Sequence, residues 1–153
     1  MTNNFTYGKI GLALTEQFES CRLQAYQDLK GIWTIGWGHT GPEVGPGLTW
    51  TQDQADSQLA IDFTLAQACV NANLLIPISQ EENDALVDLV FNIGRNAFRN
   101  STLLKLLNAG NIENAAAQFD DWDHAEGKVV AGLLRRRQAE TALFDQGTTK
   151  EKA

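Results

Sequence analysis

Glu19, Asp28 and Thr34 are the residues of this 153-residue chain whose types and spacing suit chemistry. Eight residues separate Glu19 from Asp28, and five separate Asp28 from Thr34. One carboxyl that lends a proton, and a second group that manages water or a developing cation, are what glycoside hydrolysis requires. The two must stand on opposite sides of the scissile bond, so each needs its own support. Composition alone gives the set little weight, because the chain has 19 acids and most acids are solvated surface. An acid at a helix end, a turn residue ahead of Gly31 and a strand residue describe the same three positions.

The supporting elements follow from the pattern around them. Ile10, Leu14 and Phe18 recur at helical spacing, which predicts a helix over about 9–19 with Glu19 at its end. From Tyr26 to His39 the character changes. Ile32, Trp33, Thr34, Ile35 and Trp37 stand among Gly31, Gly36 and Gly38, which predicts short strands joined by a turn at 29–31. Residues 40–47 are a Gly/Pro loop. Helical signals then dominate. Thr51 with Gln54, and Ser79 with Glu82, form capping boxes for helices over about 52–70 and up to Gly94. Asn100 or Ser101 opens a short helix closed by Gly110, Asn111 opens another ending near Trp122, and a last helix covers about 133–145. The polar tail 148–153 reads as frayed. The fold class is therefore α+β and mostly helical. A small lobe with a β-hairpin element (about 10–70, counting the connecting helix) and a helical lobe (about 71–147) make one domain, with a cleft between lobes as the favoured place for a site.

Length and charge narrow the function. A chain this long buries enough surface to fold without disulfides or metal. Cys21 and Cys69 lie 48 positions apart with no Cys/His cluster, so two reduced thiols and no metal site are expected. No apolar run approaches a membrane span, and residues 1–20 lack the apolar core of a secretory signal. Net charge is −7, and residues 49–93 hold seven acids and no base. Arg135, Arg136 and Arg137 are the one basic cluster, and three consecutive helical residues point three ways. A nucleic-acid binder would present a basic face instead. Acidity also slows encounter with a like-charged polymer.

The stretch from Phe18 to His39 resembles the active-site region of the phage-type lysozymes, the endolysin family. The family pattern of Glu, eight residues, Asp or Cys, five residues, Thr and a Gly-x-Gly-His run stands here as Glu19, Asp28, Thr34 and Gly36-Trp37-Gly38-His39. Residues 84–94 resemble the family's central cleft helix, residues 98–103 the start of the next, and residues 132–140 a C-terminal signature. The resemblance implies a lysozyme-like fold and hydrolysis of the β-1,4 bond between N-acetylmuramic acid and N-acetylglucosamine, with no cofactor. It implies Glu19 as general acid, with Asp28 and Thr34 positioning water or stabilising the transition state. It also implies an Arg beside Glu19, which the sequence leaves open among residues 135–137. Arg136, Arg137 and His39 are candidate structural supports, and Phe91, Ser101 and Gln118 candidate glycan contacts. An inverting reaction would set the two carboxyls roughly 6.5–9.5 Å apart. The family reading makes the protein a monomer, synthesised in a host cytoplasm and acting on peptidoglycan after release by a holin. A lytic transglycosylase giving anhydro-muramic products and a non-catalytic glycan-binding domain are the rival readings.

Overall fold

The computed structural model describes residues 5–125 and 128–152. Helix α1 (Lys9–Phe18) buries Gly11, Leu14 and Thr15. Ile10, expected on that stripe, instead points to solvent at 64% exposure. The Tyr7 ring lies so close to Gly11 that a Cβ there would collide with it, and Thr15 bonds a buried carboxylate, so α1 is turned by polar contacts. The helix stops at Glu19, whose backbone is extended.

The chain then builds an antiparallel sheet in the order β1 (Arg22–Gln27), β2 (Trp33–Gly36), β3 (His39–Thr40). Thr34 pairs with Tyr26 on one side and with Thr40 on the other. The hairpin closes through Asp28, whose N–H donates to the Ile32 carbonyl at 2.9 Å.

Both capping boxes form. Thr51 opens α2 (Gln52–Asn73) and Ser79 opens α3 (Gln80–Ile93). At 22 residues α2 runs about 33 Å. Every residue of α3 from Glu82 to Val90 is buried, three acids among them. Burial without partners would make those acids costly, and each is partnered. Glu82 completes the capping box, Asp84 accepts from the Gly8 N–H, and Asp88 takes Thr15 and Arg136. Against α3 pack α4 (Arg95–Arg99) and α7 (Ala131–Lys152), and α5 (Thr102–Asn108), α6 (Ile112–Ala117) and a 3-10 turn (Gln118–Trp122) pack on one another beside them. Leu86, Leu89, Phe98, Leu107, Phe119 and Phe144 form the centre of that core. A two-residue hairpin, β4 (His124–Ala125) with β5 (Lys128–Val129), precedes α7.

The molecule is thus α+β and mostly helical. Besides Ile10, further details depart from the sequence expectation: the helix expected to run to about Trp122 stops at Ala117 and continues as the 3-10 turn. Helix α4 and the β4–β5 pair were not foreseen, and α7 runs on past Gly147 rather than fraying after 147. Gly147 lacks a side chain where one would strike Ser79, so the helix lies flat on the start of α3. There Thr148 Oγ1 donates to Glu82 at 2.8 Å. No described helix is long and apolar enough to cross a membrane.

Candidate functional site

Glu19 stands where α1 gives way to the sheet, so its side chain leaves the helix and meets the β lobe. Gly38, at φ +80°, approaches so closely that a Cβ there would lie 2.1 Å from Glu19 Oε2. From the helical lobe, Arg136 Nη1 donates to Glu19 Oε1 at 2.7 Å. Three segments far apart in sequence therefore converge on one carboxyl. Burial raises the Glu19 pKa, and the Asp88 charge adds to the rise. Arg136 opposes both and is outweighed.

Arg136 is the arginine that the sequence left open among three. Its Nε and Nη2 donate to Asp88 Oδ2 and Oδ1, both at 2.9 Å. Both partners are buried. Asp88 also accepts from Thr15 Oγ1 at 2.5 Å, and the Tyr7 hydroxyl meets Thr15 at 2.6 Å. Burial would raise the Asp88 pKa, but Arg136 and these bonds pull it down to about 2. Glu140 shifts the other way, pushed well up by burial and by its bond to Asp88. Arg137 turns from Glu19 to Asn92 (2.8 Å) and to Glu140, whose Oε1 lies 2.8 Å from its Nε. Breaking a buried pair of the Asp88–Arg136 kind by removing one partner costs roughly 3–5 kcal/mol.

Asp28 occupies the hairpin turn. Its Oδ1 accepts from the Lys30 and Ile32 N–H groups at 2.8 and 2.9 Å, which fixes the carboxylate's orientation. Among the described residues nothing bonds its Oδ2. Thr34 is buried on β2, and its hydroxyl donates to the Ile32 carbonyl at 2.9 Å, leaving oxygen lone pairs to accept. The Tyr26 pKa is raised by burial, then by the Glu19 charge, with Asp28 adding to the rise. Both carboxyls therefore act on the same side chain.

His39 sits between two carboxylates, Asp62 on Nδ1 at 2.8 Å and Glu43 on Nε2 at 2.6 Å. Two acceptors call for two ring protons, so the imidazolium form fits. Burial opposes that charge, but the two bonds outweigh it and the pKa rises. This binds the 40–47 loop to α2, a supporting role for His39. Beside it a groove of about 260 Å³ runs between β3, α2 and the end of α3. A larger groove, about 440 Å³, lies between Phe5–Tyr7 and α2, and none of Glu19, Asp28 or Thr34 lines it.

Residues 16–140 match the phage lysozyme family. The chain belongs to that family. It is similar to the endolysin of Acyrthosiphon pisum secondary endosymbiont phage 1, 45% identical over 139 residues, 88% of this chain and 94% of that one. The endolysin of Bacillus phage PZA is 41% identical over 142 residues, 92% of this chain and 55% of its own length. This chain thus spans about half of that longer relative. Among solved structures, the muramidase domain of SpmX from Asticaccaulis excentricus superposes with a TM-score of 0.81 at 36% identity, covering 92% of this chain and 98% of that one.

The phage-lysozyme glycan candidates are spread over the helical lobe. Phe91 lines the groove beside His39 and packs on Phe63 with ring centroids 5.2 Å apart. Ser101 is buried at the start of α5, where its hydroxyl donates to the Phe98 carbonyl and accepts from the Leu104 N–H. Gln118 is half-buried at the junction of α6 and the 3-10 turn. Trp37 is tied to Asp56 at 2.9 Å, and Trp50 lies against His39. Cys21 and Cys69 are free thiols, and the described residues hold no cluster suited to a metal. Sequence reasoning passed over Asp88 and Thr15. A signal existed, since Asp88 stands inside the apolar run Ala85, Leu86, Val87, Leu89, Val90.

Proposed function

We propose that this chain is an endolysin muramidase that hydrolyses the β-1,4 bond between N-acetylmuramic acid and N-acetylglucosamine. Glu19 carries the reading. It is a carboxyl at the junction of the lobes whose affinity for a proton is raised although it touches an arginine. Such a group suits a general acid near neutral pH. In the reaction the Glu19 proton passes to the glycosidic oxygen as the C1–O bond breaks. Water adds to C1 from the other face and gives its proton to Asp28, with Thr34 holding the water. The backbone bonds on Asp28 Oδ1 support this role because they leave Oδ2 for water. The enzyme works as a monomer without a cofactor, is made in a host cytoplasm and reaches the wall through a holin lesion.

Mass spectrometry of muropeptides released from purified peptidoglycan tests this. Reducing muramic ends, lost in Glu19→Gln, are the expected result. Anhydro-muramic ends would replace the hydrolase with a transglycosylase. No release by the folded wild type would leave a glycan-binding domain.

A further inference from the structure

Arg136 hydrogen-bonds two carboxylates unequally, with Glu140 Oε2 a more distant 4.0 Å from its Nε. It gives Asp88 two N–H groups along one edge and gives Glu19 a single N–H from the other side. A two-point carboxylate–guanidinium pair is the stronger and the more rigid. Asp88 is itself fixed by Thr15 behind it. A general acid beside an uncompensated cation would give up its proton too early, because a nearby positive charge favours the carboxylate.

We propose that Asp88 is a positioning residue for the reaction. It anchors Arg136 by the Nε–Nη2 edge and offsets its charge, so that Arg136 orients Glu19 without stripping its proton. This rests on Glu19 being the general acid. The surroundings leave Asp88 that task. Glu19 faces Arg136 on α7, Asp88 on α3 and Tyr26 on β1. Asp88 faces Arg136, Arg137 and Glu140 on α7, and Tyr7 ahead of α1 with Asp84 near it. Burial raises the proton affinity of Glu140 and of Tyr7, and Asp123 faces Arg137. Among the described residues, Asp88 and Glu19 are the acids that accept hydrogen bonds from Arg136, and Glu140 Oε2 stands farther off, 4.0 Å from the Arg136 Nε.

The test is the pH profile of kcat/KM on purified peptidoglycan for wild type and Asp88→Asn, with folding checked by circular dichroism. Glu19 must be protonated to act, so activity falls as pH rises through its pKa. Removing the Asp88 charge lowers that pKa. The alkaline limb is expected to move down by about one pH unit, a tenfold loss above the limb, with recovery on its acid side. A uniform loss at every pH, with the limb unmoved, would mean a packing role and overturn the proposal. So would an unchanged profile. Should Asp88→Asn fail to fold, carbon-13 titration of the wild-type carboxyls decides the matter. Asp88 is expected to stay ionised throughout the range in which Glu19 titrates, and an Asp88 that protonates above Glu19 would overturn the proposal. A wild type that yields reducing ends with an unmoved limb in Asp88→Asn removes this inference alone. A wild type that yields none removes the reading of Glu19 as well.

Discussion

Gly38→Ala separates the backbone cost of a glycine from its role beside the acid. At φ +80° a non-glycine residue pays roughly 1–2 kcal/mol. Gly110, at φ +81° between α5 and α6, would pay the same, and a Cβ there meets nothing within 4 Å. For a domain of this size each kcal/mol lowers Tm by about 2–4 °C, so both alanine variants should melt a few degrees early. At Gly38 the new Cβ would also lie 2.1 Å from Glu19 Oε2, and the carboxyl must retreat by at least about 1.3 Å to reach the ordinary contact of 3.4–4 Å. That retreat strains its 2.7 Å bond to Arg136. A displacement of 1 Å at a reacting group costs on the order of a hundredfold in rate. The assay pairs thermal melts with initial rates of peptidoglycan clearing for both variants. Gly110→Ala should keep wild-type activity and Gly38→Ala should lose about two orders of magnitude. Equal activities at matched stability would show that the approach of Gly38 to Glu19 has no bearing on catalysis.

Other variants address the rest of the scaffold. Because the His39 pKa is raised, its pairing contributes fully below the ordinary value of 6.5 and fades as pH rises through the higher folded value. Melting temperatures should therefore decline with pH in that window and His39→Asn should lack the decline; parallel curves would disprove the pairing. The raised Glu19 pKa acts in the same direction, destabilising the fold as pH climbs above 4.5. Glu19→Gln should thus melt above wild type at neutral pH and converge with it in acid, and a variant less stable at both would refute this. Gly147→Ala should cost about 1–3 kcal/mol by chemical denaturation, because its Cβ would overlap Ser79; a neutral result would mean that the end of α7 does not dock.

Much of the fold was legible because its signals are local. The Thr51–Gln54 and Ser79–Glu82 boxes lie within four residues each, and the Gly31 turn lies among β-formers. What was missed depends on distant neighbours or on very short elements. Gly94 ends α3 at φ +96°, and the chain resumes as α4, only five residues long. Two-residue strands such as β4 carry no periodicity. Gly147 reads as a stop signal, yet its bare Cα lets α7 continue over Ser79. At the site, spacing and resemblance single out Glu19, Asp28 and Thr34 as candidates. The choice of Arg136, and the part played by Asp88, depend on the packing of α3 against α7, which no local spacing encodes.

Glu19 and Arg136 lie 117 positions apart, and α7 is the last of the described helices. Ribosomes deliver the amino end first. A growing polypeptide thus presents Glu19, Asp28 and Thr34 while the guanidinium that orients the acid has yet to be made. The site is assembled only when α7 emerges and seats against α3. Premature termination anywhere upstream of residue 136 yields a product without that guanidinium. Wall-cutting capacity is thereby confined to molecules whose synthesis has passed residue 136.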